Sequence, residues 1–384
     1  MELTAALDIG SDKIVMAIGE ERQDGTCILK GMKMIASGGV EKGVVTDFGK
    51  VHSYVHYLLK ELDKERQVVS VNVMLPYSTL QVSEHKITVP VQRKTVKESD
   101  IDRAETKCRE MIAARSEELI DITPVAFYVD RSKYTLQPLG SPAKDLEVRF
   151  RAYKADKGYL NELKSIFSEV GIEDIRFYPP PTAYMQALDV DDDSHFVLVD
   201  MGASHTSIIM FHNGLPVREA TLPLGTDTVD RDIAAAFQIT DFALAKPIKH
   251  KYGEAIRSMG SYGKVQIPEL KVEINRKDLL QVIQCRLEEL LEGVVYQLQQ
   301  WGFTKEGIIY LTGNGSSLLH TTELLSLISG NKVKYAKALN VQTDNDALLD
   351  NRACFGVLGL LTCSDDDTRE EQSGGLGGWF SKLF

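Results

Sequence analysis

The sequence has few of the features that mark secreted, membrane-spanning or nucleic-acid-binding proteins. Its five cysteines are scattered through 384 residues without a CxxC spacing, which argues against an ordinary zinc site or a disulfide framework and is typical of a reducing cytosol. No apolar run approaches the roughly 20 residues of a spanning helix, and we expect no signal peptide before the first strand. The net charge of −11 argues against nucleic-acid binding, which needs a clustered basic surface.

The most informative pattern is an internal repeat. Residues 6–19 (ALDIGSDKIVMAIG) and 198–211 (LVDMGASHTSIIMF) each consist of an apolar strand, an Asp-x-Gly turn and a second apolar strand. Each pattern predicts a hairpin with a small polar tip. Because one copy opens each half of the chain, the repeat indicates a duplicated α/β domain with one polar turn in each half.

The two turns, with a third segment, suit a nucleotide. Backbone amides around Gly10 and Ser11 can form an anion-binding nest, Lys13 adds a positive charge, and Asp8 can hold Mg²⁺ through water. Residues 307–317 predict a strand that ends in a Gly-rich turn and opens a helix at Leu318. The alternative for this third segment is a plain helix N-terminus capped by Ser316 or Ser317.

Two helices have clear apolar spacing. Residues 47–65 carry Val51, Tyr54, Val55, Leu58 and Leu62, and residues 275–301 carry Leu279, Leu280, Ile283, Leu287, Leu290, Leu291, Val294 and Leu298.

Three further segments have patterns of their own. Residues 78–155 alternate strands around one polar helix, 99–115, as an inserted module would. The acidic and Gly-rich segment 364–378 predicts a flexible tether. After it, an apolar stripe follows helical spacing: Leu376, Trp379, Phe380, Leu383 and Phe384.

Together these segments resemble the actin, Hsp70 and sugar-kinase superfamily. Asp8–Lys13 resemble its first phosphate motif, Asp200–Thr206 its second and Leu311–Ser316 its adenosine motif. Segments 181–184 and 352–359 resemble its two connecting helices, in which the small residues Ala183, Ala353 and Gly356 would allow close packing.

Within that superfamily the chain is most similar to the FtsA family of bacterial division proteins. The resemblance rests on segments 43–51, 125–140, 224–234 and 243–253 and on the terminal GGWFSKLF. It implies subdomain 1A at 1–78 and 159–190, an inserted 1C at 79–158, 2A at 191–224 and 306–363, and 2B at 225–305. A linker at 364–378 and a membrane-targeting helix at 379–384 complete the predicted organisation.

The resemblance also implies ligands, partners and location. ATP and Mg²⁺ are the implied cofactors, and Asp8 is the implied metal contact through water. The implied nucleotide-binding positions are Asp8, Gly10, Ser11, Lys13, Asp200, Gly202, Ala203, Ser204, Gly225, Lys249, Gly313, Asn314, Gly315 and Ser316. The membrane anchor would be Leu376, Trp379, Phe380, Lys382, Leu383 and Phe384. Arg276 and Arg286 are candidate contacts for the C-terminal tail of FtsZ. Such a protein forms filaments, recruits later division proteins and lies on the cytoplasmic face of the membrane at the division site, without nucleic acid.

Several positions depart from the family pattern. Ala203 and Ser204 replace glycines, His205 replaces a threonine, and Lys246 stands where a glutamate is usual. These changes favour a nucleotide-binding structural protein with weak or no ATPase activity.

Two other functions fit parts of the sequence. A PilM-type scaffold of a type IV pilus or secretion platform shares the core and the second turn, but it lacks the terminal aromatic segment. A sugar or acetate kinase needs a catalytic acid, for which Asp12 and Asp200 are candidates by position alone.

Overall fold

The computed structural model describes residues 2–22, 26–112, 116–188, 195–268 and 272–363. The strands are β1 (Leu3–Ile9), β2 (Lys13–Glu21), β3 (Cys27–Ala36), β4 (Val40–Glu41), β5 (Val44–Val45), β6 (Val68–Met74), β7 (Leu80–Pro90), β8 (Glu117–Val129), β9 (Lys133–Thr135), β10 (Asp145–Asp156), β11 (Asp174–Tyr178), β12 (His195–Met201), β13 (Thr206–His212), β14 (Leu215–Leu222), β15 (Lys264–Ile267), β16 (Val272–Asn275), β17 (Ile308–Thr312), β18 (Lys332–Tyr335) and β19 (Val341–Gln342). The helices are α1 (Phe48–Leu62), α2 (Glu98–Ile112), α3 (Lys157–Ser168), α4 (Pro180–Ala187), α5 (Asp227–Ala236), α6 (Ala245–Tyr252), α7 (Arg276–Gln300), α8 (Thr321–Ser329), α9 (Asp346–Leu349) and α10 (Phe355–Leu360).

The chain divides into two compact units. The first comprises Met1–Ser194, Phe211–Val217 and Lys337–Phe384, and the second comprises His195–Met210 and Arg218–Ala336. The first unit contains a six-stranded sheet with the order β11-β6-β1-β2-β3-β19. Strands β1, β2 and β3 are antiparallel neighbours, whereas β6 and β11 run parallel to β1. The first predicted hairpin is therefore present.

The main sheet of the second half has the order β14-β13-β12-β17-β18. Strands β12, β17 and β18 are parallel. This order matches β3-β2-β1-β6-β11 of the first sheet, strand for strand. In each sheet, the second and third strands of the sequence extend one side and the two later strands extend the other. The repeat read from the sequence is thus a repeat of topology, and the predicted duplicated α/β fold is confirmed.

Helix α1 covers the six-stranded sheet, with α3 beside it. The Asp47 carboxylate accepts a hydrogen bond from the Lys50 amide at 3.0 Å, and so caps a helix N-terminus that would otherwise leave amides unpaired. Val51, Val55 and Leu58 on its apolar face are fully buried in the core of this sheet. The helix is shorter than predicted because Asp63 accepts hydrogen bonds from the backbone after it.

Helix α7 is the longest helix of the described chain. The Asn275 side chain caps it by accepting from the Lys277 amide at 3.0 Å. Every apolar residue that the helical spacing selected is buried: Leu279, Leu280, Ile283, Leu287, Leu290, Leu291, Val294 and Leu298. A stripe of this width is what a helix needs to pack against a core along its whole length.

The inserted module forms a sheet of its own, with the order β7-β10-β8-β9. Helix α2 packs on it over a core that includes Phe127 and Phe150. Residues 211–217 belong to the first unit, and Leu215 is buried in the core of the inserted module. The Arg151 guanidinium donates to the Pro216 carbonyl at 3.0 Å. Of the predicted helix 99–115, the last three residues lie outside the described residues.

Helices α4 and α10 pack closely, as expected for the two connecting helices. The closest approach is at Gly359, where an added Cβ would lie 1.9 Å from the Ala183 carbonyl oxygen. At Gly356 the same atom would lie 3.0 Å from Met74 Cε. Ala353 falls in a 3-10 turn before α10, so Gly359, rather than Ala353, allows the contact.

Asn72 ties the end of the described chain to an interior strand of the first sheet. Its fully buried side-chain amide donates to the Leu360 carbonyl at 2.7 Å and to the Cys363 carbonyl at 2.9 Å. Strand β6, which carries Asn72, lies between β1 and β11. Within the described ranges, no helix is both long and apolar enough to cross a membrane.

Candidate functional site

The first candidate phosphate turn lies between β1 and β2 in the first unit. The Gly10 amide donates to the Lys13 carbonyl at 2.9 Å, so this amide closes the turn instead of facing outward. The Ser11 hydroxyl accepts a hydrogen bond from the Gly43 amide at 2.7 Å. These contacts fix the turn against the segment that leads into α1.

Lys13 and Asp8 interact electrostatically with Cys354 next to this turn. Burial lowers the pKa of the Lys13 amine, and the charge interaction with Cys354 opposes this shift. Burial raises the pKa of the Cys354 thiol to about 12, with Lys13 lowering it and Asp8 raising it. The thiol is therefore neutral near pH 7, and Lys13 is a partly desolvated cation. The sequence did not indicate Cys354, because a single cysteine beside an apolar segment carries no signal.

The second turn, between β12 and β13, repeats the first. The Gly202 amide donates to the His205 carbonyl at 3.0 Å, the same contact that Gly10 makes with Lys13. Ser204 Oγ lies 2.9 Å from His205 Nδ1. Burial lowers the pKa of His205, although the Asp200 carboxylate raises it. A neutral imidazole thus takes the place that a lysine holds in the first turn.

The glycine replacements in this turn leave its backbone unstrained. Neither Ala203 nor Ser204 has a positive φ. Gly313, in contrast, has a φ of +80°, in the region that favours glycine. The adenosine-like segment therefore keeps glycine at the position whose backbone geometry requires it.

Three glycines let the second turn and the adenosine-like segment pack together within the second unit. An added Cβ at Gly225 would lie 2.2 Å from the Ala203 carbonyl, and one at Gly313 would lie 2.1 Å from an Asp200 carboxylate oxygen. At Gly315 it would lie 2.6 Å from the Met201 carbonyl. Asp200, Gly225 and Gly313 thus lie close together, and their contact with a nucleotide stays a prediction.

The prediction of a helix that opens at Leu318 is wrong. Residues after Gly313 form a 3-10 turn at Asn314–Ser317, and α8 begins at Thr321. Ser316 does not cap the helix, because its hydroxyl donates to the Gly313 carbonyl at 2.8 Å. The residue before α8 is His320, in a left-handed conformation without a side-chain cap. The serines close the turn, and the helix starts one turn later.

Lys249 lies inside the second unit and already has partners. Its amine is 2.8 Å from an Asp230 carboxylate oxygen and donates to the Thr226 carbonyl at 3.1 Å. Burial raises the pKa of Asp230, while Lys249 lowers it. Burial, and then the charge of Lys249, lower the pKa of Lys246. Lys249 therefore ties α6 to the start of α5, and its contact with a nucleotide stays a prediction.

The two arginines predicted to contact the FtsZ tail also form ion pairs within the chain. The Arg276 guanidinium lies 2.6 Å from Glu254, and Arg286 lies 2.6 Å from Asp232. Both remain partly exposed at the side chain. Their role in binding a partner stays a prediction. The tether 364–378 and the anchor positions Leu376, Trp379, Phe380, Lys382, Leu383 and Phe384 lie outside the described residues.

Similarity to solved structures shows the fold. The chain resembles the PilM–PilN type IV pilus biogenesis complex with a TM-score of 0.69 and 18% identity, over 93% of this chain and 97% of that one. It also resembles MreB5 of Spiroplasma citri bound to ADP, with a TM-score of 0.57 and 11% identity, over 97% and 99% of the two chains. With its two matching sheets and repeated turns, this is an actin-like protein with an inserted α/β domain.

Sequence comparison identifies the family. The model described as "Cell division protein FtsA" matches residues 197–352, and "SHS2 domain inserted in FTSA" matches residues 78–153. Cell division protein FtsA of Pseudomonas aeruginosa is 24% identical over 94% of this chain and 88% of its own length. That of Bacillus subtilis is 25% identical over 87% and 78%. The chain belongs to the FtsA family of cell division proteins.

Proposed function

We propose that this chain is a cell division adaptor that anchors FtsZ filaments to the cytoplasmic face of the membrane. The observation that carries the proposal is the match of both FtsA models, one to the second half of the chain and one to the inserted domain. In this proposal, subdomain 2B binds the FtsZ tail, residues 376–384 hold the membrane, and the chain assembles into filaments. The inserted domain then recruits later division proteins. The likeness to PilM, at 18% identity, concerns the fold.

The adaptor further binds ATP with Mg²⁺ in this proposal. Lys13 supports this proposal, because the negative charge of a polyphosphate would stabilise its partly buried ammonium group. Asp8 would hold the metal through water, and the unstrained Ala203, Ser204 and Gly313 backbone would accept the nucleotide. A bound Mg²⁺ would neutralise phosphate charge. The altered second turn favours weak or no hydrolysis.

Replacing Lys13 with alanine should weaken ATP binding about tenfold or more, because it removes a charge-assisted contact. Isothermal calorimetry with Mg²⁺ and ATP measures this. Since burial lowers the pKa of Lys13 and phosphates raise it, binding at alkaline pH should take up protons, and the heat should depend on the buffer. The alanine variant should lose that dependence.

Lys50→Ala is the matched control, because Lys50 is an exposed lysine of the same unit. It should bind ATP as the parent does. Equal affinity of the parent and the Lys13→Ala variant, or no heat from either, would remove this nucleotide site from the proposal.

A labelled FtsZ tail peptide should bind the full chain, and the double variant Arg276→Glu, Arg286→Glu should bind it about tenfold or more weakly. Charge reversal removes the planar guanidinium groups that hold carboxylates and carbonyls. Fluorescence anisotropy reports the affinity. Arg231→Glu, an exposed change on α5 of the same unit, is the control and should leave the affinity unchanged.

Thermal melts of both variants must accompany these titrations, because Arg276 and Arg286 hold Glu254 and Asp232. A folded double variant with full affinity would move the peptide site elsewhere. Failure of the parent chain to bind the peptide would refute the FtsZ partnership itself.

A further inference from the structure

Two histidines on α1 lie away from the turns described above. His52 and His56 are one helical turn apart, so their side chains occupy the same face of the helix. Their ring centroids are 3.9 Å apart. Both rings are partly exposed, and the chain directly after α3 places Glu169 beside them. All three residues belong to the first unit.

The donor atoms of these residues converge. His52 Nε2 lies 3.2 Å from a Glu169 carboxylate oxygen, and one ligand atom from each of the three residues lies within 4.8 Å of the others. Zinc binds imidazole nitrogen and carboxylate oxygen at about 2.0–2.2 Å, which sets tetrahedral donors roughly 3.3 Å apart. The His52 and Glu169 donors already have this spacing. The His56 donor lies within 4.8 Å of both of them.

The ring of His56 is held in place by a second contact. His56 Nε2 lies 3.2 Å from the Ile166 carbonyl oxygen of α3. A backbone carbonyl can only accept, so the contact is a hydrogen bond when this nitrogen carries a proton. The other ring nitrogen then keeps its lone pair. Backbone carbonyls commonly orient the histidines of metal sites in this way.

We propose that His52, His56 and Glu169 bind one divalent transition-metal ion of the zinc class, with water in the remaining position. Two imidazoles and one carboxylate form a donor set that suits zinc and its neighbours, whereas Mg²⁺ and Ca²⁺ prefer oxygen alone. A simple ion pair between His52 and Glu169 accounts for two of the residues. It leaves unexplained the close approach of the His56 ring, whose centroid lies 3.9 Å from that of His52.

The ion would join α1 to the end of α3. These helices pack side by side on the six-stranded sheet, through residues such as Val55 and Ile166. Because the ligands come from both helices, an ion bound to the folded state would stabilise it and not the unfolded chain. The site thus has two readouts, the binding of the ion and the thermal stability of the protein.

The test is a titration of the full chain with ZnCl₂, without nucleotide and with excess Mg²⁺ to occupy oxygen-only sites. The exposed thiol of Cys285 would also bind zinc, so Cys285→Ser is the parent protein. We expect one ion per chain by calorimetry and a rise in melting temperature. Removing one ligand in His52→Ala or His56→Ala should weaken binding about tenfold or more.

His85→Ala is the matched control, because His85 is a partly exposed histidine of the inserted domain, next to Ser83. It should bind zinc like the parent. Co²⁺ substitution should give the visible bands of a four-coordinate nitrogen and oxygen site without a thiolate charge-transfer band. The proposal is overturned if the parent binds no zinc, if His56→Ala binds it equally well, or if the cobalt spectrum shows thiolate.

Discussion

Replacing Lys249 with methionine should lower the free energy of unfolding by about 3–5 kcal/mol, because it leaves a buried carboxylate without its partner. The Lys249 and Asp230 side chains are only 4% and 2% exposed, and their charged atoms are 2.8 Å apart. Methionine preserves most of the volume of the lysine stem. Urea denaturation at pH 7 measures the loss as a lower midpoint with an unchanged slope.

The pH dependence of this loss separates an unpaired charge from poor packing. Burial raises the pKa of Asp230 above its usual 3.8, and Lys249 opposes that shift, so the variant raises the pKa of Asp230 further. A carboxyl whose folded pKa is raised holds its proton more tightly in the native state. The destabilisation is therefore present above the folded pKa and is relieved as the pH falls through it.

The variant should thus regain stability relative to the parent as the pH approaches 3.8 from above. Lys249→Met, Asp230→Leu is the matched double variant, and it should be more stable than Lys249→Met alone, since it removes the orphaned charge. An equal loss at every pH in the single variant would show that the amine does not compensate a charged Asp230.

A chain that ends at Gly378 should lose most of its binding to liposomes that contain anionic lipid. The predicted anchor places Leu376, Trp379, Phe380, Leu383 and Phe384 on one stripe, and burying each such side chain contributes about 1.5–3 kcal/mol before the cost of ordering. Truncation removes four of these five side chains. Co-sedimentation should show at least about tenfold less lipid-bound protein.

Single substitutions distinguish binding through an amphipathic helix from nonspecific hydrophobic binding of the terminus. Trp379→Glu places a charge on the apolar stripe and should release the protein, whereas Ser381→Ala lies on the opposite face and should not. Since one short anchor binds weakly, conditions that favour filaments should raise lipid binding through avidity. If the truncated chain pellets with lipid as well as the intact one, the anchor assignment fails, and the adaptor function with it.

Repetition and periodicity made much of the fold predictable. The two Asp-x-Gly hairpins follow from apolar runs on each side of a polar turn, and the turns close with the same contact, from Gly10 to Lys13 and from Gly202 to His205. The buried face of α7 follows from its spacing because a long amphipathic helix has one way to hide its stripe. These features depend on neighbours in the sequence.

The predicted helix start at Leu318 was wrong for a local reason: the Ser316 hydroxyl bonds back to Gly313, a choice that local propensity leaves open. Other features depend on residues far apart in the sequence. The pairing of Lys249 with Asp230 and the meeting of Lys13 with Cys354 need the tertiary fold. The contact of Gly359 with Ala183 is similar, since two helices set the space at that glycine.

The hydrogen bonds of the Asn72 side chain have a mechanical consequence. Tension applied to the chain beyond Cys363, as from a tethered surface, reaches the sheet through the two hydrogen bonds that this amide makes with Leu360 and Cys363. Strand β6 is an interior strand, hydrogen-bonded to a parallel neighbour on each side, so the load passes to both neighbours. The end of the described chain is thus held by the sheet as well as by the packing of α10.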